Sequence, residues 1–309
     1  MTFLYFLAEL RTPLGDGFFS AVTNLGGETS LLAIGLALFW CVDKRMGYYA
    51  LCTGLSGTVL NQFLKLAFRI PRPWVRDPGF TIVESARTGA GGYSFPSGHT
   101  QNSVSIFGSV AIETKHRWIR IIAIVLAVLV PFSRMYLGVH TPQDVLVAAA
   151  GSLVLLLVFR PLVYSKDPRV LPVTLGGLTV LSAAFCLYAE LFPFPADIDS
   201  DNLQEGIKNA YTLLGAFLGF LVVYLADEKH LRFPTNAIWW AQILKLFLGL
   251  ALVVAAKALL KAPLLALCGG HSAASAIRYF LLVLLAGIVW PLTFPWFSRL
   301  GRKKPRVDH

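Results

Sequence analysis

Long apolar segments, each bounded by charged or turn-forming residues, recur along the whole chain. Apolar residue types occupy 56 % of the 309 positions and charged types only 14 %, whereas soluble proteins average roughly 45–50 % and about 25 %. A helix that crosses a bilayer needs about 20 mostly apolar residues. The sequence therefore excludes a large soluble domain and predicts an all-α fold, a polytopic membrane helical bundle.

About nine apolar segments are candidates for transmembrane helices. They run approximately over Thr29–Val42, Gly47–Phe68, Gln101–Glu113, Trp118–Phe132, Asp144–Tyr164, Val170–Leu191, Gly206–Ala226, Ala237–Leu260 and Ala274–Phe297. The first and third are short for a bilayer, so we expect them to extend into the flanking turns. Before Thr29, apolar residues such as Phe3 and Leu7 share a face that leaves out Glu9 and Arg11, which is typical of an interfacial helix.

Basic residues predict how these helices are oriented. Alternate connections carry Lys44 and Arg45; Lys115, Arg117 and Arg120; Arg160, Lys166 and Arg169; Lys229 and Arg232; and Arg299, Arg302, Lys303, Lys304 and Arg306. The positive-inside rule puts these loops in the cytoplasm, with the N-terminus outside and the C-terminus inside. The net charge of +10 thus reflects topology, and no nucleic acid partner is expected. The basic stretch from Lys65 to Arg87 breaks the rule and needs a local reason.

Three polar segments interrupt the apolar background, and all three fall on the predicted outer side. They are Lys65 with Arg72-Pro73, Pro96-Ser97-Gly98-His99, and Ser133-Arg134 with His140 and Asp144. Taken singly, the basic residues could reach the interface and Ser97 or Asp144 could cap a helix. Neither role requires three cations, two histidines and an aspartate on one membrane face, so the conjunction indicates a functional site.

The patterns Lys-x6-Arg-Pro, Pro-Ser-Gly-His and Ser-Arg-x5-His-x3-Asp together resemble the signature of the type 2 phosphatidic acid phosphatase superfamily. That superfamily includes lipid phosphatases, undecaprenyl pyrophosphate phosphatases and glucose-6-phosphatase. The resemblance covers about Thr29–Tyr164. We therefore expect a phosphatase core over residues 1–165, formed by the interfacial helix and five crossings, and a C-terminal extension of about four crossings over residues 166–309.

The resemblance implies a role for each residue of the signature. His140 would attack phosphorus and form a phosphohistidine, Asp144 would orient His140, and His99 would act as general acid and base. Phosphate would be bound by Lys65, Arg72, Ser97, Gly98 and Arg134. Because fixed cations stabilise the charge of a transferring phosphoryl group, we expect a metal-independent phosphoric monoester or diphosphate hydrolase, with no metal and no cofactor.

The leading functional hypothesis is an integral-membrane phosphatase that acts on a lipid phosphate or a polyprenyl pyrophosphate at the extracytoplasmic face of a bacterial inner or plasma membrane. Its partners would be the lipid bilayer and this substrate, and a homodimer stays open. One alternative is a phosphatase or phosphotransferase with a soluble substrate such as a sugar phosphate. Another is a transporter or scramblase of phosphate lipids, which would need the cations but not the histidine pair.

The second half of the chain contains no further signature. Lys245 lies within an apolar run, where a lysine is a functional candidate by default, whereas Lys257 and Lys261 could reach the interface. Gly215 and Gly219 form a small-xxx-small pair that indicates close helix packing. We expect this half to shape a lipid-facing chamber, to provide a dimer surface or to carry another binding role.

Overall fold

A computed structural model describes residues 1–300, and helices are the only regular secondary structure in this range. The helices are α1 (Thr2–Glu9), α2 (Pro13–Thr23), α3 (Glu28–Ala37), α4 (Lys44–Phe68), α5 (Pro73–Arg76), α6 (Gly98–Glu113), α7 (Arg117–Tyr136), α8 (Pro142–Val163), α9 (Val170–Leu191), α10 (Ser200–Ala226), α11 (Trp239–Leu259), α12 (Lys261–Leu267), α13 (Ala273–Leu284) and α14 (Phe294–Arg299). A π-helical turn over Leu38–Val42 extends α3. The predicted all-α fold is confirmed.

Six helical segments of the described range are long and apolar enough to cross a membrane, and a bent pair at the N-terminus would make a seventh. The six are Arg117–Tyr136, Pro142–Val163, Val170–Leu191, Ser200–Leu231, Trp239–Leu267 and Ala273–Arg299. The bent pair joins Pro13–Gly26 to Glu28–Val42 at an angle of 57°. Every predicted segment coincides with a helix, but two of these helices, α4 and α6, are not among the apolar candidates.

The packing of α6 explains why this helix is less apolar than its neighbours. This helix packs against α4, α7 and α8, so its side chains face protein rather than lipid. Most of its polar residues are buried: Thr100, Gln101, Asn102, Ser103, Ser105 and Ser109. They hydrogen-bond within the bundle, as when Gln101 Nε2 donates to the carbonyl of Gly54 at 3.0 Å. A polar helix is tolerated at membrane depth when protein surrounds it.

In the second half of the chain, α10 packs against both α9 and α13. Gly215 permits the contact between α10 and α13, because a Cβ atom placed there would lie 2.0 Å from the carbonyl oxygen of Ala276. Gly219 faces Val283 in the same way, at 2.9 Å. The predicted close packing at this glycine pair is confirmed.

Lys245 links α11 to the first half of the chain. Its ammonium group is buried and donates to the carbonyl oxygens of Trp40, at 2.8 Å, and Thr235, at 2.9 Å. Carbonyl groups at a helix end lack intrahelical partners, and Trp40 lies in the π-helical turn that ends the α3 segment. The lysine therefore satisfies otherwise unpaired backbone groups, which explains its place in an apolar run.

Candidate active site

The three signature segments meet at one end of the bundle formed by α4, α6, α7 and α8. Lys65 lies in the last turn of α4, His99 in the first turn of α6 and Arg134 in the last turn of α7. Backbone hydrogen bonds join the segments: the Ser94 amide donates to the carbonyl of Ile70, and the Ser97 amide to that of Asp144. The three signature segments, which are spread over positions 65 to 144 of the sequence, thereby form one compact site.

Arg72 is held at the centre of this site by four polar contacts. Its guanidinium donates to the carbonyl oxygens of Gly92, at 3.1 Å, and Val139, at 3.1 Å, and also to the carbonyl of Gly91. Its Nη1 lies 2.8 Å from His140 Nε2. Burial lowers the pKa of Arg72 to about 10, so its side chain remains a cation at neutral pH.

His140 is neutral, and its Nε2 accepts a hydrogen bond from Arg72. Arginine has no acceptor, so the Arg72 contact makes Nε2 the acceptor and puts the ring proton on Nδ1. Burial, followed by the cations Arg72, Arg134 and Lys65, holds the pKa of His140 well below its usual value. The lone pair of Nε2 therefore points toward the Arg72 guanidinium.

Asp144 approaches the other side of the His140 ring. Its Oδ2 lies 3.4 Å from His140 Nδ1, and it accepts shorter hydrogen bonds from Ser94 Oγ, at 2.6 Å, and from the Thr141 amide, at 2.8 Å. Thr141 and Asp144 also form a capping box at the start of α8. The aspartate thus caps a helix and faces the histidine at the same time.

The other two predicted cations lie around this pair. Arg134 is fully buried and donates to Thr23 Oγ1 at 2.8 Å and to the carbonyl of Gly89 at 3.3 Å. Lys65 is also buried and donates to the carbonyl of Tyr93. The His99 ring borders Gly89, since a Cβ atom built on that glycine would lie 3.9 Å from its Nε2.

Ser97 is the N-cap of α6, as the simpler interpretation of its motif predicts. Its Oγ accepts from the Thr100 amide at 3.4 Å and from Thr100 Oγ1 at 3.0 Å. The next residue, Gly98, lines the cavity of the site, whereas Ser97 is fully buried. The first turn of α6 therefore lies at the cavity, and the amide groups at the start of a helix suit an anion.

A cavity of about 440 Å³ extends from this site into the membrane-spanning bundle. Its polar end is lined by Lys65, Arg72, His99 and His140. Its apolar end is lined from the first half of the chain by Leu31, Leu36, Phe39, Leu51 and Leu55, and from the second half by Leu213, Ala216, Phe220, Val223 and Val283. Both halves of the chain therefore build the cavity, and the predicted role of the second half in shaping a lipid-facing chamber stays a prediction.

Several residues that line or support the site do not belong to the signature. Ser94 is a buried serine whose only sequence signal is its place two residues before Pro96. Glu205 of α10 faces the Gly91 backbone, since a Cβ atom on that glycine would lie 3.1 Å from its Oε2. Lys257 and Tyr279 also line the cavity, with the ammonium 5.6 Å from the ring centroid.

Comparison with known proteins agrees with this geometry. The PAP2 superfamily matches residues 45–167, which contain all three signature segments, and the PAP2 superfamily phosphatase transmembrane extension matches residues 211–303. The chain belongs to the PAP2 superfamily. The resemblance read from the sequence is thereby confirmed, and with its apolar helices and the matched transmembrane extension the chain is an integral membrane protein.

Three relatives illustrate the range of similarity. Undecaprenyl-diphosphatase BcrC of Bacillus subtilis (strain 168) is 33 % identical over 42 % of this chain and 62 % of its own length. Phosphatidylglycerophosphatase B of the same organism is 34 % identical over 48 % of this chain and 75 % of its own. Sphingosine-1-phosphate phosphatase 1 of Mus musculus is 24 % identical over 77 % of this chain and 58 % of its own length. No solved structure matches the chain.

Proposed function

We propose that this PAP2 superfamily member hydrolyses a lipid phosphate or a polyprenyl diphosphate through a phosphohistidine on His140. The observation that carries the proposal is the 2.8 Å contact between Arg72 Nη1 and His140 Nε2. This contact supports the proposal because a neutral imidazole can act as a nucleophile and the adjacent planar guanidinium is a forked donor that suits phosphate oxygens. The relatives named as diphosphatase or phosphatase support the reaction class.

The proposed reaction has two steps. In the first, His140 Nε2 bonds to phosphorus, the bond to the leaving oxygen breaks, and His99 donates a proton to that oxygen. In the second, His99 takes a proton from water as the water oxygen bonds to phosphorus, the bond between phosphorus and His140 Nε2 breaks, and inorganic phosphate leaves. Lys65, Arg72 and Arg134 would stabilise the equatorial oxygens in both steps, together with Ser97 and the amide of Gly98. In this scheme Asp144 orients the His140 ring, and no metal takes part.

The proposed topology places the site outside the cytoplasm. The site lies at the C-terminal ends of α4 and α7 and the N-terminal ends of α6 and α8, while Lys44, Arg117 and Arg160 lie at the opposite ends of these helices. The positive-inside rule then favours nine crossings with the N-terminus outside. Four basic residues of the predicted C-terminal cluster, Arg302, Lys303, Lys304 and Arg306, lie outside the described residues. We propose a plasma-membrane location, in a bacterium.

We also propose that residues 1–165 form the catalytic core and that the extension, residues 166–309, completes the substrate cavity. The apolar lining of that cavity favours a lipid over a sugar phosphate. A transporter would have no need for the paired His99 and His140.

The test is phosphate release by purified protein from lipid phosphates, a polyprenyl diphosphate and glucose 6-phosphate, with and without chelator. We expect lipid substrates to be cleaved in chelator, His140→Ala to be inactive, and an acid-labile, base-stable phosphoenzyme to form on the wild type. His116→Ala is the matched control, because His116 is exposed at the opposite end of the bundle. Equal release by His140→Ala and wild type, or loss of activity in chelator, would contradict the mechanism.

A further inference from the structure

A second polar pocket lies in the C-terminal half of the chain, between α10, α12 and α13. Its volume is about 420 Å³, and none of its lining residues belongs to the three signature segments. The charged side chains that line it are those of Glu205, Lys208, Lys261 and Arg278, and Ser275 adds a hydroxyl group. With three cations and one carboxylate, the pocket has a formal charge of +2.

Helical spacing brings these side chains to one place. Glu205 and Lys208 are three residues apart on α10, so they lie on the same side of that helix. Ser275 and Arg278 have the same spacing on α13, which packs against α10. Two packed helices therefore each contribute a polar pair to the pocket, and Lys261 at the start of α12 contributes a further cation.

Arg278 distinguishes this pocket from a solvated surface. Only 8 % of the residue is exposed, and its Nε is buried without a hydrogen-bond partner among residues 1–300. The Tyr279 ring centroid lies 5.3 Å from the guanidinium carbon, but this contact leaves Nε without an acceptor. Arg278 also forms no salt bridge with a carboxylate in the described part of the chain.

A buried guanidinium of this kind needs an anion. Burial of a charge is costly unless the charge is paired and hydrogen-bonded. Arg278 lies within the candidate membrane span Ala273–Arg299, where an ionisable side chain marks a functional site by default. Since Glu205 lines the same pocket without pairing with Arg278, the chain leaves this cation available to a ligand.

We infer that this pocket, here called the Arg278 pocket, binds a phosphate group outside the active site, either the headgroup of an anionic phospholipid or inorganic phosphate. The planar fork of Arg278 suits two phosphate oxygens at once. Lys208 and Lys261 are exposed and would add point charges at the rim. The inference does not depend on the proposed phosphatase function, because its test measures binding.

The Arg278 pocket is adjacent to the active site but distinct from it. Glu205 lines both the pocket and the active-site cavity. Arg278 does not line that cavity, and neither Arg72 nor His140 lines the pocket. One carboxylate therefore stands between two groups of cations, so an anion in the Arg278 pocket would be separate from a phosphate held beside His140.

The first measurement is thermal unfolding of the purified protein in detergent, because a ligand that binds the folded state raises the unfolding midpoint. The probes are inorganic phosphate and dihexanoylphosphatidylglycerol. Dihexanoylphosphatidylcholine and sodium chloride, at matched ionic strength, are the controls. We expect at least one probe to raise the midpoint by roughly 3 °C or more.

The pattern of responses identifies the source of the phosphate group. A response to phosphatidylglycerol alone indicates a lipid headgroup, and a response to inorganic phosphate alone indicates a free anion. Either pattern, or a response to both, supports the inference. If neither probe raises the midpoint more than the two controls do, the inference is wrong.

Substitutions separate the Arg278 pocket from the active site, which would also bind phosphate. We expect Arg278→Gln to remove at least half of the midpoint rise, both with Arg72 present and in an Arg72→Gln background, because the two sites act independently. Arg299→Gln is the matched control, since Arg299 is exposed at the other end of the same helical span. If Arg278→Gln keeps the rise seen in this control, or if Arg72→Gln alone removes all of it, the inference is overturned.

Lys208→Gln decides the question if Arg278→Gln does not fold. Lys208 lines the same pocket but is exposed, so the fold should tolerate its replacement. Loss of one exposed cation should increase the probe concentration for half of the maximal midpoint rise by roughly threefold. In that case an unchanged concentration would refute binding in the Arg278 pocket.

Discussion

Arg72 Nη1 and His140 Nε2 lie 2.8 Å apart, so the proposed phosphate ligand and the proposed nucleophile share one hydrogen bond. The contact fixes the histidine tautomer, because a guanidinium can only donate. When a phosphoryl group enters, Arg72 can transfer this donor to a phosphate oxygen and leave the Nε2 lone pair free for attack. In the proposed mechanism, activation of the nucleophile and binding of the substrate would therefore be coupled through one guanidinium.

Replacement of Arg72 by lysine should lower kcat/KM by roughly 10²–10³-fold, the range seen when one preorganised donor is lost from an active site. An ammonium group has no planar fork and cannot contact Gly92, Val139 and His140 together. The measurement is steady-state hydrolysis of a lipid phosphate. Arg69→Lys is the matched control, since Arg69 lies outside the signature and its side chain donates to the nearby Leu66 carbonyl. An Arg72→Lys enzyme as active as this control would contradict the prediction.

The pH dependence should reveal the lowered pKa of His140. Because the proposed nucleophile would react when it is neutral, a pKa of His140 held below the usual 6.5 should extend activity to lower pH, and the acid limb of kcat/KM should lie below pH 6.5. Burial is the largest cause, and the cations Arg72 and Arg134 follow. Arg134→Gln removes one cation, so the pKa should rise and the acid limb should move to higher pH.

Comparison of variants separates the change in the pKa of His140 from ionisation of the substrate, because the substrate ionises in the same way with every variant. Arg87→Gln is the control, because Arg87 is exposed and paired with Glu84 at 2.7 Å. Its acid limb should coincide with that of the wild type. An Arg134→Gln profile that stays in place or moves to lower pH would show that this cation does not set the pKa of His140.

Ser94 should act as a positioning residue for Asp144. Its hydroxyl donates a buried 2.6 Å hydrogen bond to the carboxylate, and bonds to charged groups contribute about 1.5–3 kcal/mol. We expect Ser94→Ala to lower kcat by roughly 10–100-fold, at 1.36 kcal/mol per factor of ten, with KM nearly constant. In Ser109→Ala the same substitution removes a buried hydroxyl bonded within α6, and kcat should not change. An unchanged kcat in Ser94→Ala would contradict the role.

Much of the fold could be predicted from the sequence because apolar runs and their charged boundaries are local signals. The convergence of the three motifs could be predicted because they carry the residue types that phosphate chemistry requires, whereas the role of each residue stays a prediction. The number of apolar crossings could not be settled in the same way. The polarity of α6 depends on its being surrounded by α4, α7 and α8, and this environment is set by tertiary packing.

The residues that line the cavity could not be predicted from the sequence for a related reason. Because α4 and α10 face each other across the cavity, Lys65 and Glu205 come together, although they are far apart in the sequence and share no motif. The spacing of Thr58, Gln62 and Lys65 on α4 is a signal in retrospect, since these are polar residues on one side of an apolar helix. Ser94 offers no such signal, because its role depends on a hydrogen bond across 50 residues.

Lys245 should stabilise the protein without taking part in the reaction. In Lys245→Met the carbonyl groups of Trp40 and Thr235 lose a charged donor, and an unsatisfied buried group costs roughly 1–3 kcal/mol. We expect a lower midpoint of thermal unfolding in detergent and an unchanged specific activity at low temperature. Lys261→Met, at an exposed site, should change neither. Loss of activity in a folded Lys245→Met protein would point to a catalytic or binding role instead.

The contact between α10 and α13 should not tolerate a side chain at Gly215. A Cβ atom at Gly215 would lie 2.0 Å from the carbonyl oxygen of Ala276, and because the obstacle is backbone, one helix must move. Gly215→Ala should therefore lower the midpoint of thermal unfolding and, since both helices line the cavity, reduce hydrolysis of long-chain lipid more than that of para-nitrophenyl phosphate.

Gly177 gives the matched control for that substitution. It lies inside α9 with no atom within 4 Å of the added Cβ position, and alanine is favoured over glycine in a helix interior by roughly 0.5–1 kcal/mol. Gly177→Ala should leave the unfolding midpoint unchanged or raise it. If Gly215→Ala and Gly177→Ala have the same midpoint and the same preference between the two substrates, the close packing of α10 on α13 does not support the cavity.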